Sequence, residues 1–196
     1  MGMKKNIRCI SCSIFRHSLE NNEFIKENSI KVEFLTSMLH MRPEKLDEKL
    51  KKRILPGSEE ELTLLLYGDC APGMCDLQNQ NNVKRVEGIN CIEILLEASL
   101  YRKLRKEGAF FLLPEWAERW REVFEYELGL DEKIGKQFLQ DFHTKFVYLD
   151  TGQKEVPIGL LNEISAYFGL PYEVIELDGK ILTDKIKSIL EKYFYE

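Results

Sequence analysis

Short apolar runs alternate with amphipathic segments along almost the whole chain. Runs such as LTLLLY and AFFLL have the length and the continuous apolar character of strands that are buried on both faces. This pattern predicts strands at residues 6–11, 31–36, 61–67, 83–87, 109–113, 145–149 and 172–177. Segments with helical spacing of apolar residues fill the gaps, most clearly at residues 43–54, 91–106, 115–127, 157–168 and 183–194.

The alternation of strand and helix predicts the fold class. A strand, a crossover helix and a second strand form the unit from which parallel sheets are built, with helices covering both faces. We therefore expect an α/β fold, a Rossmann-like three-layer sandwich with a largely parallel sheet, in a single domain over residues 1–196. Two successive helical patterns around Gly129 are read as a helical insertion or cap at about residues 115–144.

Composition excludes several classes of protein. The 196 residues are 44% hydrophobic and 31% charged, which is typical of an ordinary globular protein. The net charge is −5 with both signs interspersed, so no basic face offers the counterion release that drives nucleic-acid binding. No apolar run approaches the roughly 20 residues that span a bilayer, and MGMKKNIRCIS lacks the apolar centre of a secretion signal. We expect no nucleic-acid partner, no membrane association and a cytoplasmic location.

Cysteine and histidine residues follow the predicted strands. The chain has five cysteines, an odd number that favours thiols or metal ligands over a disulfide framework. Four successive strands are predicted to lead into Cys12, His40, Cys70 and Cys91. Because ligands of open α/β sheets bind at the carboxyl ends of the strands, we expect these four side chains to form one site.

The residue types indicate metal chemistry at this edge. Three cysteines and a histidine match a closed zinc site, and with one of them absent a small-molecule ligand would occupy the open position. Iron–sulfur clusters use the same sulfur ligands, so they remain an alternative. Asn90 and Glu93 have the spacing of a capping box, which places Cys91 in the first turn of a helix where backbone N–H groups favour a thiolate.

Other strand-end residues are candidates for the rest of the site. Arg42 could contact an anion. Gly68 and Asp69 would line the binding site of the cofactor or ligand beside Cys70. Two carboxylates after later strands, Glu115 and Asp150, could act as acid, base or outer partners of the ligands. Surface arginines, helix starts and turns use the same residue types, so a purely structural role stays open for each.

Two other cysteines and the aromatic residues are interpreted differently. Cys9 falls inside a strand and is expected to be a core residue, whereas the role of Cys75 is open. Trp116, Trp120 and Phe124 recur at helical spacing and are expected in the core. The chain has no GxGxxG and no Walker loop, so nothing in it indicates a nucleotide cofactor.

Five segments resemble a known family. They are ISCSIFRHSLE, LTSMLHMRPEKLDEKL, LLLYGDCAPGMCDL, GINCIEILLEASLYRKL and GAFFLLPEWAERW. They resemble the uncharacterised family called domain of unknown function 1638, over most of residues 7–152, including the positions of Cys12, His40, Cys70 and Cys91. The family is found mainly in anaerobic archaea and bacteria, and members of this kind look like those encoded near corrinoid-dependent methyltransferases. The resemblance implies a role in one-carbon metabolism.

Two functions from different classes follow. The first is a zinc-thiolate protein of corrinoid methyl transfer, a methyltransferase-related metalloenzyme with Cys12, Cys70 and Cys91 as ligands and His40 as fourth ligand or acid/base. The second is a non-enzymatic accessory, carrying an iron–sulfur cluster or binding a corrinoid, that docks on a corrinoid protein, a corrinoid-dependent methyltransferase or an activase. A cofactor-free enzyme with Cys91 as nucleophile and His40 as base is a third reading.

Overall fold

A computed structural model of the protein describes residues 6–54, 61–80, 82–152 and 154–195. Its strands are β1 (Asn6–Cys12), β2 (Lys31–Leu35), β3 (Glu61–Leu66), β4 (Val83–Arg85), β5 (Ala109–Leu112), β6 (Lys145–Asp150) and β7 (Tyr172–Glu176). Its α-helices are α1 (Arg16–Glu20), α2 (Glu23–Glu27), α3 (Pro43–Ile54), α4 (Met74–Gln78), α5 (Cys91–Leu95), α6 (Ala98–Lys106), α7 (Pro114–Glu118), α8 (Glu132–Phe142), α9 (Ile158–Phe168) and α10 (Gly179–Tyr195). All seven predicted strands are present, and their ends lie within two residues of the predicted bounds.

The strands form two parallel sheets. The first has the order β2-β1-β3-β4, and the second has the order β5-β6-β7. Every pairing in both sheets is parallel. The predicted α/β class with parallel strands is therefore confirmed. The apolar pattern did not show that the seven strands divide between a four-stranded and a three-stranded sheet.

The chain forms two compact units, one around each sheet. The first comprises Met1–Leu95 together with Gly179–Glu196, and the second comprises Leu96–Asp178. The predicted helix 91–106 is interrupted where the first unit ends, because Glu97 has an extended backbone and the chain restarts as α6 at Ala98. The cause is a backbone conformation that the helical spacing of the side chains does not report.

In the first unit, α3 covers one face of the four-stranded sheet. Leu46, Leu50 and Ile54 recur every fourth residue and are almost completely buried. They pack with Ile10 of β1 and Leu65 of β3 in one apolar cluster. The central strand β3 is buried along its length, as its continuous apolar sequence predicts. The β1 and β3 strand ends therefore emerge from a rigid core.

In the second unit, aromatic residues form a large part of the core. Trp120 and Phe124 are 2% and 1% exposed, as predicted from their helical spacing, and they pack against Phe168 of α9. Residues 115–144, expected to form an insertion or a cap, contain α7, the π-helical turn Glu122–Glu127 and α8. These helices make up the crossover between the parallel strands β5 and β6. None of the described helices combines the length and the apolar character needed to cross a membrane.

Candidate functional site

The carboxyl edge of the four-stranded sheet has a topological switch point. After β1 the chain continues to β2 on one side of the sheet, and after β3 it continues to β4 on the other side. The ends of the neighbouring strands β1 and β3 are therefore the place where connections diverge and a crevice forms. Cys12 is the last residue of β1, and Cys70 lies four residues beyond the end of β3. Both side chains are half-buried and pack against the apolar cluster under α3.

Gly68 brings the segment after β3 against the segment that leads to Cys91. A Cβ atom at Gly68 would lie 2.5 Å from the carbonyl oxygen of Ile89 and 2.5 Å from the Cα atom of Asn90. The next residue, Asp69, donates its backbone N–H to the same Ile89 carbonyl at 2.8 Å. Only a residue without a side chain fits this approach. The segments that carry Cys70 and Cys91 are thereby held in direct backbone contact.

The Asp69 side chain is engaged by Arg85. The Arg85 guanidinium donates to the Asp69 carboxylate at 2.6 Å and to the side chain of Gln78 at 2.7 Å. Asp69 is exposed, whereas Arg85 is mostly covered, so this pair ties the segment after β3 to the end of β4. Asp69 therefore orients the segment that contains Cys70.

Cys91 is the first residue of α5, as the capping pattern predicted. The Asn90 side chain accepts the N–H of Glu93 at 2.9 Å, and the Glu93 carboxylate accepts the N–H of Ile89 at 2.8 Å. These reciprocal bonds satisfy backbone groups that a helix start leaves without partners. They define where α5 begins and hence the position of the Cys91 thiol.

The Cys91 thiol is affected electrostatically by the two other thiols of this edge. Burial raises the pKa of Cys91 far above its ordinary value, and the charges that Cys12 and Cys70 would carry raise it further. The N–H groups of Cys91 and Ile92 lower this pKa, as expected for a helix start, but burial outweighs them. Burial likewise raises the pKa of Cys70. The predicted effect of the helix start on Cys91 is therefore present, but desolvation is larger and the net pKa of the thiol is raised.

The other two cysteines differ from these three in their surroundings. All five cysteines are free thiols. Cys9 is completely buried inside β1, and burial raises its pKa to about 12. Since side chains alternate along a strand, Cys9 faces away from the side on which Ile10 and Cys12 lie. Cys75 is exposed on α4. Cys9 is thus the core residue that the sequence predicted.

His40 and Arg42 follow the outer strand β2. His40 lies in the 3₁₀ turn Ser37–Met41, which is tied to the end of β1 by the Ser37 N–H donating to the Ser13 hydroxyl at 2.9 Å. Its side chain is exposed, yet the protein around the ring lowers its pKa by desolvation, which favours the neutral imidazole. Arg42 is also exposed and donates to the carbonyl of Met41 at 3.0 Å.

Glu115 and Asp150 belong to the second unit. Glu115 lies in the first turn of α7, and Asp150 ends β6, where its carboxylate accepts the N–H of Gly152 at 2.8 Å. The nearby Tyr148 has a pKa raised to about 12 by burial and then by the charges of Asp150 and Glu118. The two carboxylates thus follow strands of the three-stranded sheet, whereas the thiols follow strands of the four-stranded one.

Tyr67 is a buried polar residue next to the candidate site, and the sequence analysis did not predict it. It directly follows β3, is 3% exposed, and its hydroxyl has no hydrogen-bond partner among the described residues. Burial raises its pKa strongly, and the charges of Cys12 and Cys70 add to the effect. A tyrosine immediately before Gly68-Asp69-Cys70 at a predicted strand end was the available signal, because its polar tip needs a partner when the ring is buried.

The donor types suit a soft metal ion, although no ready-made coordination group is present. Among residues 6–54, 61–80, 82–152 and 154–195, no three His, Cys, Asp or Glu side chains form a group that could hold a metal ion. Thiol and imidazole donors are the ones that zinc prefers.

Comparison with known proteins identifies a family. Neither the curated proteins nor the solved structures include a match. A family model described as "Protein of unknown function (DUF1638)" matches residues 34–186. The matched segment contains His40, Cys70 and Cys91, and it begins after Cys12. Because this match covers most of the sequence, the chain belongs to the DUF1638 family.

Proposed function

We propose that the protein binds a zinc ion through the thiolates of Cys12, Cys70 and Cys91. The observation that carries this proposal is the placement of these thiols on three separate segments at the carboxyl edge of the four-stranded sheet, where Cys12 and Cys70 both affect the Cys91 thiol. Apolar packing alone does not require three cysteines at one sheet edge. Three soft donors at one edge are the chemistry expected of a thiolate metal site.

The fourth position in this proposal is taken by His40 or by an exogenous ligand. His40 lies on the turn that is bonded to the end of β1, and its lowered pKa favours the neutral ring that a metal requires. With His40 as acid/base instead, the fourth position is open to a small molecule. When bound, the ion lowers the pKa of a thiol or water ligand and polarises it.

The high thiol pKa values make ion binding and proton release inseparable. Burial keeps Cys70 and Cys91 protonated in the metal-free protein at neutral pH. Thiols must lose their protons to become zinc ligands, so binding is expected to release protons and to weaken as the pH falls. The neighbours Gly68 and Asp69 hold the two segments together, and in this proposal the exposed Arg42 contacts an anionic ligand on the β2 side.

The metabolic setting of the proposal is one-carbon metabolism with a corrinoid protein or a corrinoid-dependent methyltransferase as partner. It rests on the family resemblance rather than on a residue of the structure. Free thiols throughout the chain are typical of a reducing compartment, which supports a cytoplasmic location. An iron–sulfur cluster is the alternative occupant, because it uses the same sulfur donors.

Metal analysis of anaerobically purified protein tests the proposal. We expect a colourless protein with about one zinc ion per chain. Cys70→Ser should lower both the zinc content and the thermal stability measured with zinc present, because an ion that binds only the folded state stabilises it. The matched control is Cys75→Ser, since Cys75 is exposed on the neighbouring α4 and should leave both quantities unchanged.

Three results would contradict the proposal. Brown protein with iron and sulfide would replace zinc by the iron–sulfur alternative. Wild-type protein that binds no zinc in solution would refute the zinc site as a whole. Cys70→Ser protein with full zinc content would remove Cys70 from the ligand set.

A further inference from the structure

Tyr67 lies beside Cys12 on the same face of the sheet. The parallel register pairs Ile10 with Leu65 and Ser11 with Leu66, so Tyr67 is the next residue opposite Cys12. Neighbouring strands are roughly 4.8 Å apart, and successive side chains alternate between faces. Cys12 and Tyr67 therefore project on the face that carries Ile10 and Leu65, under α3.

The buried Tyr67 hydroxyl has a cost for the fold. The residue is 3% exposed, and its hydroxyl has no hydrogen-bond partner in the part of the chain that the structure describes. A buried polar group without a partner is destabilising, and phenylalanine would fill the same space without that penalty. Packing alone therefore does not account for a tyrosine at this position.

Two thiols lie in the surroundings of the Tyr67 side chain. Cys12 and Cys70 are the half-buried residues that pack against the apolar cluster to which Tyr67 belongs. Among the charged groups that influence the Tyr67 side chain, Cys12 has the largest effect and Cys70 the next largest. A thiolate is a hydrogen-bond acceptor, so ionised Cys12 would supply what the hydroxyl lacks.

We infer that Tyr67 is a positioning residue of the site, whose hydroxyl donates a hydrogen bond to the Cys12 sulfur when Cys12 is a thiolate. For the metal-bound state the inference rests on the proposed function, because there the ion creates the thiolate. In the metal-free protein the same bond would favour the thiolate form of Cys12 over the thiol. Outer partners of this kind orient ligands and adjust their basicity.

Alkylation of the metal-free protein with iodoacetamide tests the inference without reference to zinc. The rates of modification of Cys12 and Cys75 are measured by mass spectrometry across a range of pH in wild type and in Tyr67→Phe. Removing the donor should slow Cys12 modification about tenfold at neutral pH, which is the scale of one hydrogen bond to a charged group. The exposed Cys75 is the internal control, and its rate should not change.

Thermal stability separates this role from a structural one. Tyr67→Phe should melt at the same temperature as wild type or higher in the metal-free state, because it removes a hydroxyl without a partner. The matched control is Tyr167→Phe, which should lower the melting temperature because the Tyr167 hydroxyl donates to Glu125 at 2.9 Å. If Tyr67→Phe does not fold, Tyr67→Met repeats the measurement, since methionine adapts to irregular core space.

The outcomes for zinc and for Tyr67 can be told apart. Failure of wild type to bind zinc counts against the proposed function alone, because the alkylation profile still decides the role of Tyr67. The inference is overturned if Tyr67→Phe or Tyr67→Met folds and its Cys12 reacts at the wild-type rate at every pH. If wild type binds zinc, Tyr67→Phe should bind zinc with an affinity lower by a factor of about ten or more. Equal zinc affinity of the two proteins would also overturn the inference.

Discussion

At the scale of single residues, Gly68 lies at a position where the surrounding backbone leaves no room for a side chain. Its missing side chain allows the backbone after β3 to touch the backbone at Ile89 and Asn90, which leads into Cys91. The contact is with main-chain atoms, which cannot move aside as the end of a flexible side chain can. The position of one thiol relative to another therefore depends on this glycine.

We predict that Gly68→Ala destabilises the protein by about 1–3 kcal/mol, the usual cost of forcing an extra group into packed space. It should also weaken zinc binding, because the segments carrying Cys70 and Cys91 must separate. Chemical denaturation and zinc titration measure the two effects. Gly159→Ala is the control, since nothing lies within 4 Å of a Cβ atom there and alanine favours the helix. A Gly68→Ala protein as stable as wild type would contradict the close contact.

At the scale of elements, α5 is the short helix that presents Cys91. Five residues are too few for a helix to be stable by itself, so its ends must be held from outside. Asn90 and Glu93 cap the start, and the Lys185 ammonium of α10 donates to the carbonyls of Glu93 and Ile94 at 2.6 and 3.1 Å. A cation at the helix end also interacts favourably with the helix dipole.

Replacing the cap should affect both the helix and the thiol. We predict that Asn90→Ala lowers the free energy of unfolding by about 1 kcal/mol and weakens zinc binding, because Cys91 loses its defined position. Asp131→Ala is the matched control: Asp131 caps α8 in the second unit by accepting the N–H groups of Lys133 and Ile134. Denaturant unfolding should show a similar loss for both variants, and zinc titration should separate them. Equal zinc affinity in the two variants would show that the cap does not position Cys91.

At the scale of the whole molecule, the two units differ in how the chain builds them. The second unit is continuous in sequence, from Leu96 to Asp178, and has its own aromatic core. The first unit is discontinuous in sequence, because its last helix, α10, follows the whole second unit along the chain. Leu182, Ile186 and Leu190 of α10 form a buried stripe with a spacing of four residues.

We predict that a fragment of residues 96–178 folds alone, with a cooperative thermal transition followed by circular dichroism. A fragment of residues 1–95 should fail to do so, because it lacks α10, which packs on α5. Joining residues 179–196 to the fragment of residues 1–95 through a flexible linker is the control, and it should restore cooperative unfolding. Cooperative folding of residues 1–95 without α10 would contradict the assignment of the C-terminal helix to this unit.

The sequence alone determined the local elements and the type of fold. Apolar runs set the strands to within two residues, and their alternation with helices predicted parallel pairing. The start of α5 at Cys91 followed from Asn90 and Glu93, because capping depends on residues close together in the chain. The burial of Cys9 followed from its position inside an apolar strand. Each of these properties depends on near neighbours in sequence.

Only the tertiary structure decided which elements come together. An apolar run reports that a strand is buried but not which strand it pairs with, so the division into two sheets was not visible. For the same reason the carboxylates of Glu115 and Asp150 were not known to belong to a different unit from the thiols. The net pKa of Cys91 depends on desolvation. The contact at Gly68 depends on atoms distant in sequence, and so does the lack of a partner for the Tyr67 hydroxyl among the described residues. These are properties of packing in space, which local patterns along the chain do not contain.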